Sequence, residues 1–220
     1  MKYILFLSLI FIINSKITTI QDLANMKVGD TIELPEPIKV GGMGLYEALN
    51  LRRSQRDFDN SKSITPEILS QSLWACYGVN REKNHLKTTP SAKGWFPLLI
   101  YIFLEEGVYL YDANTHTVKM TASGDYREKT GTQDFVKNAR VNFVMIADFK
   151  KKSAMDPDEE HKRRSMYMDT GHCSMALYLF AAANKMKAVA RATVDAETLV
   201  KFLGLDPEKY ILTLAFSLGY

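Results

Sequence analysis

Cysteine is scarce in this chain. Only Cys76 and Cys173 occur in 220 residues, so neither a disulfide framework nor a Cys/His zinc cluster organises the fold. In an oxidising compartment the two could pair, but their spacing does not demand it. Both fall in segments with helical periodicity, where a thiol packs as a small apolar group. Histidine is equally sparse, and His85, His116, His161 and His172 lie far apart without metal-ligand spacing. The charge excess is small: 28 basic residues are interleaved with 25 acidic ones for a net +3, which argues against a generic nucleic-acid or membrane-surface binder. Ser91, His172 and Asp169 supply the residue types of a hydrolytic triad, yet no serine is set among nucleophile-elbow glycines. No apolar run is long enough for a comfortable, permanent bilayer span.

What remains is the balance of one ordinary globular domain, 46% hydrophobic and 24% charged, without internal repeats. Lys2 followed by the apolar run Tyr3 to Ile13 and then Asn14-Ser15 has the pattern of a secretory signal peptide. Residues 1–20 are therefore expected to be a leader directing the protein to the periplasm, the exterior or an endomembrane lumen. A retained N-terminal anchor is the competing reading, and a buried first strand a weaker one. Residues 21–42, with Leu34-Pro35-Glu36-Pro37 and Gly41-Gly42, read as an extended arm over a surface. The domain proper is expected over 43–220.

Within it, an amphipathic helix over Met43–Leu51 precedes a second, with Thr65 as N-cap, Pro66 at the first helical position and Gly78 as stop. Asn80 to Lys93 reads as a polar loop. Leu98–Leu104 and Val141–Phe149 are continuously apolar, hence buried strands, and the intervening turns suggest a small antiparallel meander. A short helix is expected over Gly131–Asn138. A long one from about Glu159 to Met186 is apolar nearly all round in its interior, which fits a deep core or a subunit interface. A strand over Ala188–Ala192, an Asp195-capped helix and a last strand over Tyr210–Leu218 complete an α+β domain with a mostly antiparallel sheet flanked by helices.

The densest chemistry is Arg52-Arg53-Ser54-Gln55-Arg56. In extended chain Arg52, Ser54 and Arg56 share a face, because side chains alternate with a period of two. Two guanidinium forks flanking a hydroxyl suit the oxygens of a phosphate monoester. A basic surface loop is the plainer reading of such a cluster taken alone.

The cluster, Pro90-Ser91-Ala92-Lys93-Gly94-Trp95, Gly131-Thr132-Gln133-Asp134-Phe135, Asp169-Thr170-Gly171 and Gly204-Leu205-Asp206-Pro207-Glu208, in this order, resemble the FMN-dependent nitroreductase family. The likeness is greatest to the branch with secreted members and azoline-peptide dehydrogenases. The resemblance implies a domain-exchanging homodimer with FMN at the interface and NADH or NADPH as co-substrate. The flavin, with no catalytic side chain, would carry the chemistry. Carried over by position, Arg52, Ser54 and Arg56 would hold the phosphate and ribityl chain, with Arg53 nearby. Pro90, Ser91, Ala92 and Gly94 of the opposite subunit would line the flavin. Thr132 would make a polar contact, and the backbone of Arg191, Ala192 and Thr193 would face the reactive edge. Asp169 is expected at the mouth of the long helix.

Three departures stand out. Gly94 and Phe96 replace an Asn and a Gln of the family's loop. No basic residue follows the last strand, a charge that Arg191 either replaces or leaves unfilled from the surface. Ala192-Thr193 stands where an acidic residue and a glycine are common. Trp95, Phe96, Tyr126 and Tyr167 are candidate walls for a planar substrate, core or interface packing being the simpler reading of each. An azoline-peptide dehydrogenase and a flavin-sequestering protein without turnover are the alternatives to a nitroreductase-like enzyme.

Overall fold

The computed structural model describes residues 16–150 and 158–220. Its centre is β4 (Leu98–Phe103) and β7 (Val141–Asp148), each apolar on both faces because each is covered on both faces. Alternation divides their side chains. Leu98, Ile100, Ile102, Phe143 and Met145 enter one core, and Tyr101, Phe103, Val144 and Ile146 the other. The first core is closed by α3 (Pro66–Tyr77) through Leu69, Leu73 and Cys76, and by α4 (Glu159–Ala183) through Met166, Cys173 and Leu177. The second is closed by α5 (Ala196–Phe202) through Leu199 and Val200.

Seven strands form the sheet in the order β1-β6-β5-β4-β7-β9-β8, every pair antiparallel. They are β1 (Thr31–Glu33), β5 (Gly107–Asp112), β6 (Thr117–Ser123), β8 (Lys187–Arg191) and β9 (Tyr210–Gly219) beside β4 and β7. The C-terminal strand β9 lies between β7 and β8 of its own chain.

Local signals act as expected at several ends. The Thr65 hydroxyl accepts the Ile68 amide at 3.3 Å, and the Asp195 carboxylate accepts that of Thr198 at 3.2 Å, each satisfying an orphan first-turn donor. Three expectations change. The arm is no surface lead-in: α1 (Ile20–Ala24) and β1 bury Leu23, Ile32 and Leu34 in the first core, because β1 finds a partner in β6 nearly ninety residues on. The polar loop after α3 contains a small hairpin, β2 (Val79–Arg81) with β3 (Leu86–Lys87). The helix expected over Gly131–Asn138 is a 3-10 turn over Asp134–Asn138. Residues 1–15 of the expected leader lie outside the described residues; of the remaining five, Ile17 is buried in the first core and Ile20 packs against it. Among those described, no helix is long and apolar enough to cross a membrane.

Candidate functional site

The short helix α2 (Leu45–Leu51) delivers the arginine cluster. Arg53 is spent at its end, donating from Nη1 to the carbonyls of Asn50 at 2.7 Å and Arg52 at 2.9 Å. Beyond it the chain is extended and follows the outer edge of β8: the Gln55 amide donates to Ala188 O at 2.9 Å, and Lys187 pairs with Asp57 at 2.8 Å. The guanidinium of Arg52 lies 5.3 Å from the ring centroid of Tyr178 on α4, and Ser54 Oγ is 2.9 Å from the Tyr178 hydroxyl. That hydroxyl accepts the Ala190 amide of β8 at 2.8 Å, which leaves its own proton for Ser54. Arg52 and Ser54 thus share a side, as the alternation predicts. Arg56 is exposed, and among the described residues neither Arg52 nor Arg56 joins an ion pair. The donor set is built and aimed outward without a carboxylate to neutralise it.

At the end of β8, Ala192 and Thr193 are exposed. Their carbonyls are engaged, Ala192 O by the Val194 amide at 3.0 Å and Thr193 O by the Thr132 amide at 3.4 Å. Thr132, also exposed, is thereby tied to the same end of the sheet as the arginine strand.

Arg191 corrects the sequence reading. It is 4% exposed and belongs neither to the surface nor to the anion cradle. Its place in the alternation turns it to the sheet face opposite α4, beside Val189. There Nε donates to Ser217 Oγ at 2.9 Å, Nη1 to Thr130 O at 2.5 Å, and Nη2 to Thr130 Oγ1 and Asn142 Oδ1, both at 3.1 Å. All four acceptors are neutral, and burial alone lowers its pKa from the ordinary guanidinium range to about 10. Only its backbone remains a candidate for the site. Gly131 is required here, since a Cβ at that position would collide with Arg191 Nη1.

The second group is the loop Pro90–Phe96. Pro90 and Gly94 are exposed, and Ser91 and Ala92 half-buried. Asp169 holds this loop, and it sits in the middle of α4, not at its mouth. Tyr178 and Asp169 are nine residues apart on one helix, about 14 Å along its axis at 1.5 Å per residue. Within one chain the arginine strand and the loop are therefore separate half-sites on a common support. Ser91 and Asp169 do meet, but no histidine stands between them; His172 faces outward.

Of the candidate aromatic walls, Trp95 is buried, Phe96 packs 6.3 Å from Tyr77, and Tyr126 lies 4.8 Å from Phe202. Tyr167 alone of the four is exposed. Beyond the loop, a cavity of about 980 Å³ opens between Lys87, Trp95, Phe96 and Leu110; of the expected cofactor residues only Gly94 lines it, together with the candidate walls Trp95 and Phe96. Sequence reasoning missed Tyr178, whose one signal was a phenol in the otherwise apolar run of α4.

Between these half-sites α2 and α4 expose a continuous apolar stripe: Leu45, Tyr46, Leu49, Leu51, Tyr167, Met168 and Met175, with Tyr46 86% and Met168 61% exposed. Gly171 lies within it with nothing near its missing Cβ, the composition of a surface another helix can approach closely.

An antiparallel seven-stranded sheet flanked by helices, with two arginines outside any ion pair among the described residues beside an exposed helical face, makes this an α+β protein of the nitroreductase-like fold. The chain belongs to the nitroreductase family, whose family model matches residues 49–220. It is similar to a protein from Ralstonia eutropha JMP134 designated as a nitroreductase, at 32% identity and TM-score 0.80 over 86% of this chain and 88% of that one. A nitroreductase-designated protein from Desulfovibrio desulfuricans, solved in complex with FMN, shares the fold at 19% identity and TM-score 0.57, over 81% and 87% of the chains. So does the microcin synthetase McbBCD complex of E. coli, at 15% identity and TM-score 0.66, over 100% and 84%. Comparison with curated proteins gives no match.

Proposed function

We propose that the protein is an FMN-dependent oxidoreductase of nitroreductase type, working as a homodimer. It would take hydride from NADH, NADPH or another donor and pass it to a small oxidant of nitroaromatic or quinone type in alternating half-reactions. The observation that carries this is the pair Arg52 and Ser54, held by Tyr178 beside the exposed Ala192-Thr193 turn, with exposed Arg56 two residues on and neither arginine in an ion pair among the described residues. Two forks and a hydroxyl fit a phosphate monoester bearing a polyol, and the missing counter-charge is what such an anion supplies.

When bound, the flavin supplies hydride transfer at N5. The chain's part is placement. Arg52 and Arg56 grip the phosphate, Ser54 meets the ribityl side, and the amides of Ala192 and Thr193, whose carbonyls are engaged elsewhere, face the reactive edge. The stripe on α2 and α4 supports a dimer in which Pro90–Gly94 of a second copy lines the flavin.

An absorbance spectrum of the purified protein, followed by anaerobic titration with NADPH, tests the proposal. Flavin bands that bleach stoichiometrically are expected; protein that stays colourless with FMN added refutes it. Export through the N-terminal leader is a further proposal, checked by N-terminal sequencing of the protein recovered outside the cytosol. In that compartment the donor would be an electron carrier other than the cytosolic nucleotide pool.

A further inference from the structure

We infer that Asp169 is the positioning residue of the flavin loop, doing from α4 what the family's two loop amides would otherwise do from within it. The inference rests on the reading that Pro90–Gly94 lines the flavin. Both Asp169 oxygens serve this loop: Oδ2 accepts the Ser91 hydroxyl at 2.5 Å and Oδ1 the Ala92 amide at 3.0 Å. Ser91 Oγ in turn accepts the Phe96 amide at 2.9 Å, so the carboxylate holds the start of the six-residue arc Ser91–Phe96 directly and its end through Ser91. Asp169 is 3% exposed, and among the described residues it joins no ion pair. Buried carboxylate oxygens need hydrogen-bond donors, and here the donors come from the loop.

The arc needs such a brace. Lys93, Gly94 and Phe96 have φ of 50°, 66° and 47°, the left-handed region, where two of the three carry a Cβ that opposes it. The expected Asn and Gln at 94 and 96 are absent, and Phe96 instead turns inward onto Tyr77. Thr88 and Thr89 extend the attachment. Thr88 Oγ1 donates to the carbonyls of Trp74 and Ala75, 3.0 and 3.1 Å away, and Thr89 Oγ1 to that of Cys76 at 3.1 Å. Asp169 is buried on the helix whose exposed residues Tyr167, Met168 and Met175 would carry the two-fold contact.

The test uses Asp169→Asn, Ser91→Ala and the double variant in the full chain, with FMN as the probe. Asn keeps the shape and the Ala92 bond but cannot accept the Ser91 hydroxyl. FMN affinity is read by fluorescence quenching, loop order by tryptic cleavage after exposed Lys93, and folding by the melting midpoint. Each single variant is expected to weaken FMN binding and speed cleavage by about ten- to a hundredfold, the worth of a hydrogen bond to a charged group. The double variant should be no worse than Asp169→Asn, since both remove one interaction. A scaffold role alone would lower the melting midpoint and leave the affinity of folded protein untouched. Unchanged cleavage overturns the inference, as does unchanged affinity where the wild type binds FMN. If the wild type binds none, the proposed function fails and cleavage alone decides the role of Asp169. Should Asp169→Asn not fold, Ser91→Ala, which removes a half-buried hydroxyl, gives the same two readings.

Discussion

Arg191 sets up an asymmetry that can be measured. Burial lowers its pKa from the ordinary guanidinium range to about 10, roughly 3–4 kcal/mol against the charged form at about 1.4 kcal/mol per unit. Replacing it by Met removes that penalty and strands few partners. Ser217 Oγ still donates to Asn142 Oδ1 at 2.5 Å, and the Thr130 hydroxyl still donates to Arg127 O at 2.8 Å, so chiefly Thr130 O is orphaned. An unsatisfied carbonyl costs about 1–3 kcal/mol. Arg191→Met should therefore destabilise by no more than about 2 kcal/mol once the relieved charge is counted. The isosteric Asn142→Leu instead keeps the buried cation and deletes one of its acceptors, together with the Asn142 bond to Val136 O. It should cost about 3–5 kcal/mol, the range for breaking a buried charged network from one side. The double variant should cost less than the sum. Chemical denaturation of the four proteins gives the cycle. If Arg191→Met proves the worse single variant, the cation is a net stabiliser and the reasoning is wrong.

Arg52→Ala with Arg56→Ala should weaken FMN binding by about two to four orders of magnitude, at about 1.5–3 kcal/mol per charge-assisted contact, and should flatten its salt dependence; a fluorescence titration at two ionic strengths checks both. Burial holds His116, bonded to Tyr111, Ser70 and Pro35, below its ordinary value of 6.5. The unfolded chain thus takes up a proton that the folded one resists, so this contribution is complete above about pH 6.5 and is lost as the pH falls below it. His116→Gln should make stability less steep between pH 7.5 and 5, and an equal slope in both proteins would refute the assignment. Met168→Glu on the exposed stripe should yield monomers by sedimentation velocity and release flavin with them, while the melting midpoint of the monomer stays near that of a wild-type protein diluted below its dimer constant.

How much was legible follows from how local each signal is. The Thr65-Pro66 start of α3, the Asp195 cap and the limits of β4 and β7 were read from adjacent residues and were found where expected. The order of motifs along the chain was enough to suggest the family. The burial of the arm was not legible, because Ile32 and Leu34 alternate over too few residues to mark a strand, and the pairing that buries them lies with Thr117 to Lys119. Nor was the direction of Arg191. β8 is five residues long and half-buried on both sides, so one step of alternation decides whether that guanidinium meets a ligand or the core.

Helix α4 explains why the site could be read in pieces but not assembled. One side of it is core, through Met166, Cys173 and Leu177. Its two ligand-side contacts, Asp169 to the loop and Tyr178 to the arginine strand, stand about 14 Å apart, and its remaining face is uncovered. Under the proposed function, the arginine strand at Tyr178 and the loop at Asp169 would serve the same flavin from different copies of the chain. In the proposed dimer a second α4 would pack on the stripe about Gly171, where nothing stands near the missing Cβ, and would carry the other copy's loop toward this copy's arginines. On that proposal the exposed stripe and the divided half-sites have one explanation, because the face without a partner in one chain is the face across which the site would close.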